Sequence, residues 1–274
     1  MANGQDPELD NGAEEQEIEA QAADDVALRP GPNADSPADV ERYISAKVRE
    51  LYDVYSYRHA AAILANSFRQ ELAEIEAALL AFRITTRDIG TPGGNESVMP
   101  KKFSQILRPA GWVESRIQGD LLVRVREYDE TFLPDGKVKK EKRPESSQRI
   151  IENFIDGHKI DYVKSRVAFD MEWNSKDQTF DRDLYAMRAF HECGLISVGV
   201  MVTRSEKLNP VFDAVPQLNK AGEAIGKTVR AKYGASTTWM GKLLYRLNAG
   251  RNGSCPVLVF GITPKLIDDW NPQS

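Results

Sequence analysis

Residues 160–174 read IDYVKSRVAFDMEWN, and how this stretch is parsed decides the fold. Val167, Phe169, Met171 and Trp173 alternate with Ala168, Asp170, Glu172 and Asn174, the period-two pattern of a β-strand. The apolar set faces a core in this reading, which leaves Asp170, Glu172 and Asn174 on the opposite side. Asp161 belongs to a preceding strand, with Ile160 and Tyr162 pointing away from it. A turn at residues 164–166 brings the two strands together and gathers three carboxylates on one patch. Like charges so placed repel unless a cation sits between them. A carboxylate-only cluster suits a hard cation, Mg²⁺ above all.

Asp161, eight intervening residues, then Asp170-Met171-Glu172 is a variant of the PD-(D/E)XK nuclease motif. The flanks IDYVK, VAFDMEWNSKD, FDRDL and ISVGVMVTR resemble the BglII/BstYI group of type II restriction endonucleases. Gly93 to Ser97 (GGNES), followed by Phe103, Leu107, Gly111 and Trp112, recurs in the same group. The resemblance covers roughly residues 90–205. It implies an α/β fold, a restriction-endonuclease-like mixed β-sheet flanked by helices, here with an N-terminal helical hairpin. Where the motif usually carries Lys, this chain has Glu172; within the group that place is not reliably Lys.

Composition sets outer bounds. With 274 residues, 41% hydrophobic and 28% charged, the chain can bury a substantial core. It holds no run of eighteen apolar residues and no basic start leading into an apolar run, so a cytoplasmic protein without membrane span or secretory signal is expected. Cys193 and Cys255 form no zinc-ligand spacing and are read as reduced, buried thiols. The net charge of −5 hides an uneven distribution. Residues 1–40 hold 11 acids and one Arg, whereas the remainder carries 35 Lys or Arg against 30 acids. A mildly basic body is therefore expected behind an acidic tail, and such a body can hold phosphate electrostatically.

Along the chain, residues 1–36 lack core-forming side chains and are expected to be a disordered acidic extension. Residues 37–84 read as a helical hairpin, opened by Ser36 as cap and Pro37 in the first turn. The first helix carries Ile44, Val48, Leu51 and Tyr55, and the second Leu64, Phe68, Leu72, Ile75, Leu79 and Phe82. Residues 85–274 form the catalytic and DNA-binding domain in this division. It includes helices expected over 98–109, 146–154, 221–232 and 236–248, and strands over 121–125, 195–203 and 257–262. The strand at 195–203 is expected to be central and parallel to its neighbour through a helical crossover. Lys137, Lys139, Lys140, Lys142 and Arg143 form the densest basic run, a solvated hairpin tip or a phosphate-backbone contact.

Phosphodiester hydrolysis needs a positioned nucleophile, relief of phosphoryl charge and help for the leaving oxygen. Asp161 and Asp170 are the expected Mg²⁺ ligands, one or two ions per subunit. Glu172 either holds a second metal or orients and deprotonates the attacking water; spacing leaves both open. The resemblance adds the backbone carbonyl of Met171 as a ligand and Glu96, a helix glutamate, as a further candidate near the metals. Asn174, Ser175 and Lys176 offer amide, hydroxyl and cation to base edges, and the resemblance also places base-reading residues directly after the catalytic strand. Lys139 and Lys140 are candidate phosphate contacts. The group's known members cut palindromes with a GATC core, which implies a homodimer on double-stranded DNA, 5′ overhangs and a DNA methyltransferase sharing the target. A D…DxE spacing alone arises often by chance. Two other readings therefore stand beside the nuclease: a non-catalytic DNA-binding protein of the same fold, which would bind DNA and release no fragments with Mg²⁺, and a helical assembly factor with an acidic cluster, which would ignore both.

Overall fold

Alternation is the rule that builds the centre of this protein, as the computed structural model shows; it describes residues 31, 34–91, 98–144, 147–234 and 236–271. The chain begins with α1 (Pro37–Tyr43) and α2 (Ala46–Leu51), then β1 (Tyr52–Tyr57), α3 (Ala60–Ser67), α4 (Arg69–Ala81), α5 (Thr86–Gly90) and α6 (Val98–Leu107). Four strands follow: β2 (Val113–Val125), β3 (Tyr128–Phe132), β4 (Val138–Lys142) and the long β5 (Ser147–Lys164). Next come β6 (Val167–Met171), α7 (Thr179–Glu192), β7 (Val198–Arg204), α8 (Asn209–Ala214), β8 (Pro216–Leu218), β9 (Ala224–Thr228), α9 (Met240–Asn248) and β10 (Val257–Ile262). Six strands form one sheet in the order β1-β10-β7-β6-β5-β2. β6, β7 and β10 are mutually parallel, whereas β1 runs antiparallel to β10 and β5 antiparallel to β6.

The three parallel strands are buried along their whole length. Val198, Val200 and Val202 of β7 and Leu258, Phe260 and Ile262 of β10 join a core with the N-terminal helices. The intervening residues face α7 and α9. Gly199 and Gly261 sit there because a Cβ would meet Met187 Sδ at 2.5 Å and Met240 Cε at 2.7 Å. Their absent side chains let both helices approach the sheet closely.

The chain separates into two compact units: one holds the described residues up to Ser115 and those from Ile160 onward, the other is Arg116–Lys159. In the second unit the strands are mostly exposed, with Arg116 Nε donating to Gly157 O at 2.9 Å and the amide of Asn153 donating to Asp120 Oδ1 at 2.9 Å. Among the described residues no helix is long and apolar enough to cross a membrane.

Several elements differ from the sequence expectation. The N-terminal segment is helical on both sides of a strand: Tyr52 begins β1, which pairs with β10 from Tyr52↔Ile262 to Tyr57↔Val257, so Tyr55 is not on a helical stripe. Ser36 does cap the first helix, accepting from the amide of Asp39. Residues 37–84 share one core with the rest of their unit. The helix expected over 146–154 is the first part of β5, because pairing with β2 overrides local propensity. The helix expected over 221–232 is instead the turn after β8, then β9, which pairs with β8, and a short 3-10 helix at Val229–Ala231; Gly222 and Gly226 take φ of 86° and 73°, outside helical space. The helix expected from 236 starts at Met240. Cys255 is buried as expected, but Cys193 is exposed at the end of α7. The acidic stretch 1–30 lies outside the described residues.

One ion pair ties the β5–β6 turn to the helices. Lys164 Nζ donates to both oxygens of Glu74, at 2.6 and 2.7 Å, and to Ala110 O at 2.8 Å. Glu74 also accepts from the indole N–H of fully buried Trp112 at 2.8 Å. Burial works to raise the Glu74 carboxyl, but the hydrogen bonds from Lys164, Gln70 and Trp112 outweigh it and hold it below the usual range. Both side chains keep about a fifth of their surface in solvent, so the pair contributes less than a fully buried one. Glu74→Ala strands Lys164 and the indole N–H, and should lower stability by about 2 kcal/mol at pH 7 in denaturant titrations. Because the folded pKa of Glu74 is depressed, that contribution is present above its unfolded value and disappears as pH falls through the folded one. A wild-type midpoint in Glu74→Ala at neutral pH would show that the pair is not holding the turn.

Candidate active site

β6 is fixed from its apolar side. Phe169 packs among Phe103, Tyr162 and Trp112, with ring centroids 5.4, 5.7 and 6.5 Å away, and Phe103 stacks on Phe82 at 4.7 Å. Fixing Phe169 fixes Asp170 on the other face, since successive strand residues point opposite ways. The antiparallel register Tyr162↔Phe169, Val163↔Ala168, Lys164↔Val167, continued by one residue, sets Asp161 level with Asp170. The reversal at residues 165 and 166 is made by Ser165 in the left-handed region, φ 50°. The structure thus brings Asp161 and Asp170 together across one ladder, with Glu172 two residues further along. The Met171 side chain is buried on the core face, so only its main chain is available to the site.

Asp170 is 5% exposed and Glu172 9%. Burial pushes the Asp170 carboxyl well above the usual range, and the charges of Asp183, Asp161 and Glu172 push it further; the Met171 amide, donating to Asp170 Oδ1 at 3.0 Å, partly offsets this. Glu172 is also raised, by burial first, while a hydrogen bond with Ser175, the charge of Arg182 and a hydrogen bond with Asp183 oppose it.

Asp183 is the acid that sequence reasoning missed. It lies on the second turn of α7, only 2% exposed, on the buried stripe of Phe180, Leu184 and Met187. Arg182 reaches its Oδ1 from Nε at 3.1 Å and from Nη2 at 2.9 Å, and the same Nη2 stands 3.7 Å from Glu172 Oε1. Oδ2 of Asp183 has no donor. Burial, then the charge of Glu172, pushes the Asp183 carboxyl up to about 8. The signal is present in FDRDL, where an acid stands at the +3 position of an apolar helical stripe.

The segment after β6 is clamped. Asn174 is left-handed, φ 55°, and both polar atoms of its amide are buried without a partner. Ser175 O accepts from the Thr238 amide at 2.8 Å, Lys176 bridges Thr237, and the Asp177 amide donates to Ser236 O at 3.2 Å. Buried cations hold both sides: Lys242 Nζ donates to Asp177 at 2.9 Å, and Arg246 Nε to Asp181 at 3.0 Å. Arg204, 2% exposed, donates from Nε to Thr238 O at 3.0 Å and from Nη2 to Thr237 Oγ1 at 3.1 Å, with its guanidinium 4.9 Å from the Phe212 ring. Burial brings Arg204 down to about 9. None of these cations was singled out from the sequence, because each acts on a distant segment.

Other candidates fall elsewhere. Lys139 and Lys140 lie on exposed β4 in the second unit and already pair with Glu141 and Glu130. Exposed pairs of this kind are worth little, so a phosphate can displace the acids. Glu96 lies outside the described residues.

Among the described residues, no three His, Cys, Asp or Glu side chains stand as a ready-made metal-holding set. The donor chemistry nonetheless suits a hard divalent cation: the acids are all oxygen donors, they repel one another, and one buried oxygen has no donor. The family generally uses divalent metal ions.

No curated protein matches this chain. The family described as restriction endonuclease BglII/BglIII matches residues 52–262, a span that runs from the first residue of β1 to the last of β10 and includes every acid of the site. The chain belongs to the BglII/BglIII restriction endonuclease family and is a type II site-specific deoxyribonuclease.

Proposed function

We propose that this chain is a Mg²⁺-dependent enzyme that cuts both strands of DNA at a short palindrome with a GATC core and leaves 5′ overhangs. The observation that carries this reading is the pair of buried acids, Asp170 and Glu172, on one face of β6, with Asp161 level with Asp170 across the ladder. Asp161, Asp170 and the Met171 carbonyl would hold the metal, with Glu172 as a further ligand or as the group that receives a proton from the attacking water. The bound metal supplies charge relief at the phosphoryl oxygens and acidifies water. Glu172 suits a proton-accepting role because burial raises it toward the working pH.

Asn174, Ser175 and Lys176 are the proposed base readers. The unpartnered amide of Asn174 is a buried donor and acceptor pair that a base edge would satisfy, the bidentate chemistry used for adenine. Lys139 and Lys140 would meet the backbone. A palindrome calls for a homodimer, each subunit cutting one strand, acting in the cytoplasm alongside a methyltransferase that protects the same site.

Three outcomes follow. Asp170→Asn should abolish cleavage of phage DNA while leaving the thermal transition in place, because an amide cannot replace an anionic ligand; parental rates in Asp161→Asn, Asp170→Asn and Glu172→Gln together would move the active site elsewhere. Sequenced ends of digested phage DNA should carry GATC, and Asn174→Ala should weaken specific binding by about 1–3 kcal/mol while nonspecific binding persists; ends lacking GATC would refute the target but not the nuclease. The third outcome concerns pH. Asp170, Glu172 and Asp183 all have folded pKa values above their unfolded ones, so their contribution to stability is complete at low pH and is lost as pH rises through those values, about 8 for Asp183. Mg²⁺ should therefore raise the melting temperature more at pH 8.5 than at pH 6, since it offsets repulsion present only when the acids are charged. Equal shifts at both values would contradict the site.

A further inference from the structure

Among the described residues, β3 and β4 form a ribbon of two strands with no third strand on either edge. Its register, from Tyr128↔Lys142 to Phe132↔Val138, puts Tyr128, Glu130, Phe132, Val138, Lys140 and Lys142 on one face. The Glu130–Lys140 ion pair, 2.7 Å apart, lies on that face. Asp129, Thr131, Lys139 and Glu141 make up the reverse, which is wholly polar. A ribbon open on both faces has no core to bury, yet the first face carries large apolar groups. Phe132 is 77% exposed, Tyr128 57% and Val138 44%. Gathered on one side of so short a ribbon, they form a patch rather than scattered exposure.

The tip of the ribbon is a closed turn. The Leu133 amide donates to Lys137 O at 2.8 Å, the Gly136 amide to Leu133 O at 2.9 Å, and the Lys137 amide to Asp135 Oδ1 at 3.1 Å. Gly136 supplies the left-handed φ of 79° that this turn requires. Phe132, Leu133 and Pro134 stand together there, all exposed, and none has a side chain that can hydrogen-bond. Directly after them, residues 137–143 hold five cations and one acid. Two-fold pairing of β4 edges with a second copy would set those cations against one another. Duplex DNA, which this family binds, offers the cations phosphates and the tip a stack of bases.

We propose that the β3–β4 hairpin is a DNA wedge: Phe132 and Leu133 enter the minor groove and part a base step, while Lys140 and Lys142 on the same face hold flanking phosphates. The minor groove suits this tip because apolar wedges act there, whereas the major groove rewards hydrogen-bonding side chains that the tip lacks. Parting a base step costs free energy, and a turn already closed in the free protein keeps the ordering cost of the tip low. The inference rests on duplex DNA as the substrate and on Lys140 as the backbone contact proposed above, and it does not depend on the GATC target.

The test uses full-length protein with Ca²⁺ in place of Mg²⁺, on two duplexes checked by gel to remain uncut, one with a GATC hexamer and one without. Each duplex carries a donor and an acceptor dye at its two ends. Parental protein should shorten the end-to-end distance, read as a rise in energy transfer on binding. Phe132→Ala should remove most of that rise and raise Kd at least fivefold on both duplexes. Phe132→Leu, still an apolar wedge, should stay within twofold of the parental Kd. The slope of log Kd against log salt should be the same in Phe132→Ala as in the parent, because an apolar contact releases no counterions, whereas Lys140→Ala should flatten it by about one. Phe132 is exposed, so the thermal transitions of its variants should coincide with the parental one. Parental Kd and energy transfer in Phe132→Ala would overturn the wedge. Altered sedimentation of DNA-free Phe132→Ala, with energy transfer on DNA unaltered, would overturn it in favour of a second copy on this face. Equal parental affinity for the two duplexes would count against the GATC target and leave the Phe132 result to decide the wedge alone.

Discussion

Phe169 cannot move without moving the chemistry. Its ring is enclosed by Phe103, Tyr162 and Trp112, and the next residue on the strand is Asp170. Because side chains alternate, the stacking that holds the apolar face also sets the direction of the acidic face. Trp112 is in turn held through its indole N–H by Glu74, and Glu74 by Lys164, the last residue of β5. The hairpin carrying Asp161 and Asp170 is thus secured at its turn by an ion pair and along its length by aromatic packing. Charged groups can be crowded at the end of β6 only because the strand beneath them has no freedom to retreat.

The same crowding shapes the surroundings. Four acids lie within electrostatic reach of one another, and the cations that could neutralise them are mostly employed elsewhere. Lys242 and Arg246 bind Asp177 and Asp181, and Arg204 binds main-chain and hydroxyl oxygens of residues 237 and 238. Among the described residues, Arg182 reaches Glu172 and Asp183 from a largely exposed position. Basic residues in this region therefore hold the backbone around the site, while the site keeps an excess of negative charge for a metal ion to meet.

What could be read in the sequence followed from period and spacing. The alternation at 167–173 gave β6 and its two faces, the turn near 165 gave the convergence of Asp161 with Asp170, and the apolar run before Arg204 gave a central parallel strand. Readings failed where a distant partner decides the local structure. Residues 147–154 form a strand because β2 is there to pair with, and Tyr55 belongs to a strand because β10 is. Asp183 was hidden for a related reason: a helical stripe is read from its apolar members, and a lone acid within it gains meaning only when Glu172 is seen to face it. The clamps on residues 175–177 come from positions 204, 236–238, 242 and 246, too far along the chain for any local pattern to expose them.

The backbone at Asn174 carries an evolutionary consequence. With φ at 55° the position strongly favours glycine, asparagine and aspartate, and of these only asparagine offers both a donor and an acceptor on a neutral side chain. With Asn174 as the base reader proposed above, a lineage drifting toward new DNA targets would find this position almost closed to change. Ser175 and Lys176, on ordinary backbone beside it, stay open to variation. Diversification within such enzymes would then run along a short, predictable track in the chain, with residue 174 as its fixed end.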